Sequence, residues 1–225
     1  MDGFLSLDQV GVAFGTDKSS LCHNYLHKYE RYFHFPRDAC LNILEIGVFD
    51  GASLRMWASY YPNARIIGVD INENCKQYQE GRVSVEIGSQ VDSDFLARIV
   101  KDYGNFDLII DDGSHHNSHM IFSFCHLFPF IKKGGHYVVE DVSTSYWEPY
   151  GGGFEKEGSV IEFFKKLVHD VNFYGEYAED CDSIYCRKDD ILLRQFEKKG
   201  KRNIFNDIES INFMNSIIMV TKRLD

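Results

Sequence analysis

Short apolar runs alternate with longer segments of helical periodicity between residues 42 and 140. Continuous runs such as LNILEIG and FDLII are typical of parallel strands that are buried on both faces. The pattern predicts five such strands: Asn42–Gly47, Arg65–Asp70, Val83–Ile87, Phe106–Asp111 and His136–Glu140. It predicts crossover helices over Ser53–Tyr61, Cys75–Glu80, Ser93–Tyr103 and Ser118–Phe130. This alternation indicates an α/β fold, with a mostly parallel sheet and helices on both faces.

The hydrophobic pattern is different before residue 42 and after residue 140. An aromatic-rich helix is predicted over Leu21–Phe33, either as a cap on the active site or as a cover for the sheet edge. A further helix is predicted over Ser159–Asn172, because its apolar residues fall on one face. Two strands, Ser183–Arg187 and Ser216–Lys222, are expected to close a seven-stranded sheet in antiparallel fashion, with Arg187–Asn206 as a charged excursion between them.

We therefore expect one domain over residues 1–225, in three parts. Residues 1–40 are expected to form a helical cap segment and residues 41–141 the cofactor-binding core. Residues 142–225 are expected to contribute the acceptor side and the closing strands. A chain of this length buries enough surface to fold without disulfide bonds.

The net charge and the cysteine spacing limit the kinds of partner and the cellular location that we expect. The net charge of −10 argues against nucleic acid as a partner, because phosphate neutralisation supplies most of that affinity. The six cysteines form no CxxC pair and show no zinc-type spacing with histidine. Neither a signal peptide nor a membrane-spanning stretch is recognised. A cytoplasmic protein with free thiols is the expectation.

The segment Leu44–Gly51 joins the first predicted strand to a helix. Gly47 and Gly51 allow a tight turn and a close approach of the backbone to a ligand. The helix that begins near Ser53 offers unpaired N–H groups. The spacing E-x-G-x-x-x-G, counted from Glu45, differs from the G-x-G-x-x-G of dinucleotide enzymes. It favours a nucleoside ligand that lacks a pyrophosphate.

Residues at the ends of the next two strands specify that ligand further. Asp70 ends the second strand, where a carboxylate can accept hydrogen bonds from both ribose hydroxyls. Ser89 and Gln90 follow the third strand, at the place expected for the adenine edge. The glycine loop alone would fit other α/β proteins, whereas the loop together with Asp70 indicates S-adenosylmethionine.

Four carboxylates follow the fourth and fifth strands and are expected to converge at one edge of the sheet. Such a group needs protonation or a cation, and oxygen ligands favour Mg²⁺ or a similar hard ion. The favoured ligand set is Asp112, Glu140 and Asp141. Asp111 is assigned to the cofactor side, with direct metal contact and a strand-end cap of backbone amides as its alternatives.

A histidine beside this cluster is the candidate general base. A metal-bound hydroxyl is easier to deprotonate, and an imidazole can take its proton. His115 is the favoured base and His116 its alternative, while His119 is expected on a helix face.

Several motifs together resemble a known family. They are GTDK with the downstream Tyr25 and Tyr29, LEIGVFDGASLRMW, DDGSHH, and ED followed by TSYW. In this combination the chain resembles the metal-dependent macrolide sugar O-methyltransferases of the mycinamicin and demethylmacrocin type. The resemblance implies a Rossmann-like class I methyltransferase fold, S-adenosyl-L-methionine and Mg²⁺ as cofactors, and the metal and base residues given above.

The resemblance also implies roles for residues outside the core motifs. Thr16 and Lys18 are expected to touch the methionine end of the cofactor, and Tyr146 and Trp147 to shape the acceptor pocket. An aspartate that is common in the adenine loop of the family is Ser89 here. A histidine that is common after the ED pair of the family is Ser143 here. The identity of the acceptor is therefore the part of the resemblance that transfers least.

Three functions follow, in decreasing order of support. The first is Mg²⁺-dependent methylation of a sugar hydroxyl, on a glycosylated natural product or a glycan. The second is catechol-type or other small-molecule O-methylation. The third is a noncatalytic protein that binds S-adenosylmethionine. No membrane or nucleic-acid partner is expected. The oligomeric state is left open, with a homo-oligomer among the possibilities because the aromatic N-terminal helix could serve a dimer.

Overall fold

The structure is a computed structural model, and it describes residues 5–172 and 207–224. Seven strands form one sheet in the order β3-β2-β1-β4-β5-β7-β6. Their bounds are β1 Asn42–Ile46, β2 Arg65–Asp70, β3 Val83–Ile87, β4 Phe106–Asp111, β5 Ile131–Glu140, β6 Ile208–Met214 and β7 Ile217–Lys222. Strands β1 to β5 pair in parallel, whereas β7 runs antiparallel to both β5 and β6. The predicted fold class is confirmed.

The strand predictions differ from the structure in two places. β5 begins at Ile131, five residues before its predicted start, because the polar segment after Ile131 continues the strand past a register shift beside β4. The partner of β7 is β6, a strand that was not predicted. The predicted strand Ser183–Arg187 and the charged excursion Arg187–Asn206 lie outside the described residues.

Six α-helices of the described residues pack on the two faces of the sheet. They are α1 Leu7–Phe14, α2 Leu26–Tyr32, α3 Ala52–Tyr60, α4 Ser93–Tyr103, α5 Asn117–Leu127 and α6 Val160–Asn172. One apolar core lies between the sheet and α1, α2 and α3. The other lies between the sheet and α4, α5 and α6. Within the described ranges, no helix has the length and apolar character needed to cross a bilayer.

Two predicted helices are shorter or tighter than expected. The helix predicted over Leu21–Phe33 is confined to α2, because Asn24 adopts a left-handed backbone with φ of 56° that a helix cannot contain. The crossover predicted over Cys75–Glu80 is a 3₁₀ turn over Glu73–Tyr78, which the Asn72 side chain caps at its start.

Helix α1 was not predicted, although the sequence contains its signals. Ser6 and Gln9 form a capping box at its start. Gly15 ends the helix in a left-handed conformation with φ of 74°. The helix packs on α3 and brings the following segment over the carboxyl edge of the sheet.

Candidate active site

The loop after β1 is held against the start of the segment that follows β4. Gly47 adopts φ of 97°, and a Cβ atom built on it would lie 2.1 Å from the carbonyl oxygen of Asp112. Only glycine fits a position with both constraints. Gly51 is the N-cap of α3 with φ of 71°. The two glycines that the sequence singled out therefore shape the turn itself.

Asp70 organises the same loop from the end of β2. Its Oδ2 atom accepts hydrogen bonds from the backbone N–H groups of Val48 (2.9 Å) and Phe49 (3.2 Å), and its Oδ1 atom accepts one from Asn72 (2.8 Å). Burial alone would raise the pKa of this carboxyl, but the three backbone donors hold its pKa below the ordinary value. The carboxylate of Asp70 is therefore held in a fixed position beside the loop that follows β1.

Two adjoining cavities open at the carboxyl ends of the strands. The larger has a volume of about 610 Å³ and the smaller about 210 Å³. Eight predicted site residues line the larger cavity: Thr16, Lys18, Gly47, Ser53, Asp70, Asp112, His115 and Asp141. Gly47, Asp70, Ser89 and Gln90 line the smaller one. Seven of the ten predicted cofactor residues thus line one or both of these cavities.

Other residues of the larger cavity were not predicted. They include Asp17, Asn72, Cys75 and Tyr78. The last three come from the turn after β2, where the only sequence signal was proximity to Asp70. Burial beside Asp70 raises the pKa of the Cys75 thiol to about 11, so this thiol stays protonated and unreactive at neutral pH.

Asp112, His115 and Asp141 meet at one wall of the larger cavity. One oxygen or nitrogen atom from each lies within 4.8 Å of the others. The Nε2 atom of His115 is 4.0 Å from Oδ1 of Asp112 and 3.8 Å from Oδ2 of Asp141. Two carboxylate oxygens that face a common space suit a hard divalent cation, so the residues fit a bound Mg²⁺.

Three non-glycine residues with positive φ lie around the larger cavity. His115 and Asp141 hold positive φ values of 57° and 52°, and Phe49 in the cofactor loop holds 50°. Non-glycine residues with positive φ are uncommon and often mark functional sites. All three line the larger cavity.

Lys18 lines the larger cavity beside this wall, and its side chain is almost completely buried. Its Nζ atom bonds to Asp112, lies 2.8 Å from Oε2 of Glu140 and 3.3 Å from Oε1 of Glu45. Burial would lower the pKa of this ammonium, but the charges of Asp112, Glu140 and Glu45 outweigh it and raise the pKa. Lys18 is charged, and its predicted contact with the methionine end stays a prediction.

Two tyrosines of the N-terminal segment donate to the other acidic oxygens. The hydroxyl of Tyr25 donates to Oδ1 of Asp141, and that of Tyr29 donates to Oε1 of Glu140. The residues are four apart, so α2 directs both toward the sheet edge. Burial and the neighbouring carboxylates raise the pKa of Tyr29. Sequence reasoning gave neither tyrosine a role, because their partners lie more than 100 residues away.

Glu140 is consequently engaged on both oxygens. Oε1 accepts from Tyr29 and Oε2 from Lys18, and the residue is 1% exposed. It lies behind Asp112 and Asp141 and is not among the residues that line the cavity. Its assignment as a metal ligand stays a prediction, and coordination would require an oxygen that Lys18 or Tyr29 already contacts.

Glu45 supports the loop from within the core. It is fully buried, and its Oε2 atom accepts a hydrogen bond of 2.9 Å from the indole N–H of Trp57. Burial raises the pKa of Glu45, and the nearby ammonium of Lys18 opposes the rise. The structure places it behind the cofactor loop, outside the lining of both cavities.

The structure places Asp111 inside the core, and its predicted contact with the cofactor stays a prediction. Its side chain is fully buried and lines neither cavity. It accepts hydrogen bonds from Ser123, from Gln90 (3.1 Å) and from Tyr137 (3.3 Å). Side chains alternate between the faces of a strand, so Asp111 points away from the face that Asp112 and the cavity occupy. It is an internal carboxylate that fixes the amide of Gln90.

Tyr146 and Trp147 lie beyond the wall of the cavity. They are 50% and 52% exposed and line neither cavity. Tyr146 stacks on Phe154, and Trp147 packs beside Tyr150. Their predicted contribution to an acceptor pocket stays a prediction.

Comparison with known proteins gives a consistent group of relatives. Residues 44–142 match the family model of a methyltransferase domain. The chain is 38% identical over 172 residues to the mycinamicin VI 2''-O-methyltransferase of Micromonospora griseorubida, a match that covers 72% of this chain and 43% of the relative. It is 42% identical over 179 residues to the L-olivosyl-oleandolide 3-O-methyltransferase of Streptomyces antibioticus, covering 74% and 46%.

A solved structure agrees with these sequence matches. The MycE methyltransferase of the mycinamycin biosynthetic pathway, in complex with Mg, SAH and mycinamycin VI, superimposes with a TM-score of 0.83 and 30% identity. The match covers 98% of this chain and 54% of that chain. The present chain spans less than half the length of the curated relatives it matches.

Proposed function

Because this chain is a homologue of the macrolide sugar O-methyltransferases and has their class I methyltransferase fold, we propose that it methylates a sugar hydroxyl. S-adenosylmethionine is the proposed methyl donor and Mg²⁺ the proposed metal. The acceptor is a glycosylated small molecule, as in the names of its relatives. The finer identity of the sugar and of its hydroxyl is left to experiment.

One observation carries the proposal. The glycine loop with Asp70 and the wall formed by Asp112, His115 and Asp141 line the same cavity. A methyl donor held by the loop and a hydroxyl held at the wall would therefore meet in one space. Proximity of this kind can remove about 7–11 kcal/mol of an otherwise bimolecular barrier.

Each side of the cavity has a separate task. Asp70 offers its carboxylate to the ribose hydroxyls of the donor, and Gln90 lies beside the smaller cavity, which suits the adenine. Gly47 lines both cavities, so its backbone would lie beside the bound donor. A divalent cation at Asp112 and Asp141 would supply positive charge that lowers the pKa of an acceptor hydroxyl.

His115 is the proposed general base. Its Nε2 atom faces the two carboxylates, and its Nδ1 atom is buried without a hydrogen-bond partner among the described residues. The imidazole of His115 would accept the hydroxyl proton at Nε2. A bound S-adenosylmethionine would supply the methyl group to the acceptor oxygen and would leave as S-adenosylhomocysteine, which keeps the electron pair of the broken carbon–sulfur bond.

Methyl transfer from labelled S-adenosylmethionine tests the proposal directly. The chain is incubated with a panel of macrolides that carry deoxysugars, with Mg²⁺ or with EDTA, and the products are identified by mass spectrometry. The expected result is one added methyl group on a sugar, formed with Mg²⁺ and lost with EDTA. A catechol and an aglycone serve as controls. Transfer to the catechol alone would replace the sugar by the second predicted acceptor class, and binding of donor without any transfer would favour the noncatalytic alternative.

A further inference from the structure

The ammonium of Lys18 joins three neighbouring strands at their carboxyl ends. Glu45 belongs to β1, Asp112 follows β4 directly, and Glu140 ends β5. These strands are adjacent in the sheet, in the order β1-β4-β5. An ammonium group has three N–H donors, and each of the three carboxylates lies within 3.3 Å of the Nζ atom.

The oxygens of the acidic cluster are divided between two sides. Lys18 contacts Oδ2 of Asp112, and Tyr25 contacts Oδ1 of Asp141. The remaining oxygens of these two residues, Oδ1 and Oδ2 respectively, lie within 4.0 Å of Nε2 of His115 at the cavity wall. Lys18 therefore occupies one side of the cluster, and the two oxygens that face His115 are left for a metal ion.

The charges in this cluster affect the binding of a metal ion. Lys18 supplies one positive charge beside the carboxylates of Glu45, Asp112 and Glu140, and Asp141 follows Glu140 directly in the sequence. It is 1% exposed, so water screens its field weakly. The ammonium stabilises the carboxylates when no metal is bound, and it repels a divalent cation that shares Asp112 with it.

We propose that Lys18 is a positioning residue that acts as a resident cation. It holds Asp112 and Glu140 in position at the acidic cluster, stabilises the metal-free cluster and weakens the attraction for the divalent cation. The bound ion thereby stays exchangeable. This inference rests on the proposed function, because it assumes that a divalent cation binds at Asp112 and Asp141.

A double-mutant cycle that removes the charges of Lys18 and Glu45, singly and together, tests the proposal. The variants are Lys18→Met, Glu45→Gln and the double variant, and the readout is Mn²⁺ affinity from the electron paramagnetic resonance signal of the free ion. Lys101→Met is the control, because Lys101 is an exposed residue in the last turn of α4 and its loss changes the net charge equally.

The expected affinities move in opposite directions. Lys18→Met should bind Mn²⁺ about tenfold more tightly or more, because a unit charge close to a dication is removed. Glu45→Gln should bind it several-fold more weakly, and the double variant should return to within about threefold of wild type. Lys101→Met should leave the affinity unchanged. In EDTA, Lys18→Met should have a lower Tm than wild type, and Mn²⁺ should raise that Tm by more than it raises the wild-type value.

Weaker or unchanged Mn²⁺ binding by Lys18→Met would overturn the proposal. If this variant does not fold, Glu45→Gln and the double variant decide, since equal affinities in both would contradict charge balance. Wild-type protein that binds no Mn²⁺ would remove the proposed metal and this inference with it. Normal wild-type binding with an unresponsive cycle would remove only the role of Lys18.

Discussion

The Nε2 atom of His115 lies 3.8 Å from Oδ2 of Asp141, and both residues hold left-handed backbone conformations. His115 follows β4 and Asp141 follows β5, so two neighbouring strands present the pair to one cavity. The strain of the two turns places an imidazole beside a carboxylate that can hold a cation. This geometry makes His115 the better-placed base of the two histidines considered from the sequence.

Replacement of His115 by asparagine should therefore lower kcat about 10²–10⁴-fold, the usual contribution of a general base. Asparagine tolerates the positive φ better than most residues but cannot accept the proton. Calorimetric affinity for S-adenosylhomocysteine should stay at the wild-type value. His116→Asn is the matched control, because His116 has an ordinary φ of −68° and is the N-cap of α5. A large loss in the control with full activity in His115→Asn would reverse the assignment.

Replacement of Asp70 by asparagine should weaken the binding of S-adenosylhomocysteine by at least about tenfold. Hydrogen bonds to a charged group contribute about 1.5–3 kcal/mol, and Asp70 would lose its charge toward both the ribose and the loop amides. Isothermal titration calorimetry measures the affinity. Asp102→Asn, an exposed change in α4, should have no effect. Unchanged affinity in Asp70→Asn would place the ribose elsewhere.

The close contact at Gly47 predicts a different kind of failure. In Gly47→Ala the new Cβ atom would lie 2.1 Å from the carbonyl oxygen of Asp112, so the loop or the metal wall must move. We expect loss of detectable cofactor binding and a lower Tm. Gly81→Ala is the control, because Gly81 also has positive φ (55°) but no atom lies within 4 Å of its added Cβ. It should cost about 1 kcal/mol of stability and leave cofactor binding intact.

The strands that carry the site were easier to predict from the sequence than the contacts that support the site. The strands before Asp70 and Asp112 were recognisable because buried parallel strands read as apolar runs. β6 was missed because IESINFM is a partly exposed edge strand without such a run. The contacts of Lys18 with Asp112 and Glu140 span 94 and 122 residues, and no local pattern encodes a separation of that kind.

The contacts of Asp111 were not predicted either, although Asp111 belongs to the DDGSHH motif. The sequence places it beside Asp112, and it was predicted to lie on the cofactor side, with direct metal contact or a cap of backbone amides as alternatives. Alternation along the strand sends the two side chains to opposite faces of the sheet. Asp111 instead meets Ser123, Gln90 and Tyr137 in the core. Its effect should therefore be seen in stability and not in metal binding.

Burial raises the pKa of Asp111 to about 6, and the hydrogen bonds it accepts oppose the rise only in part. An aspartate of an unfolded chain has a pKa of about 3.9, so the folded state binds the extra proton. The stability from this group is fully present below about pH 3.9 and is lost as the pH rises through about 6.

The comparison of wild type with Asp111→Asn isolates this contribution. Asparagine carries no titrating proton, while its amide adds a pH-independent cost beside three donors. Between about pH 5 and about pH 7.5, the free energy of unfolding of wild type should fall relative to the variant by about 1.4 kcal/mol, which corresponds to about one pKa unit. Urea unfolding at several pH values measures the difference. Parallel curves for the two proteins would show that Asp111 does not take up a proton in this range.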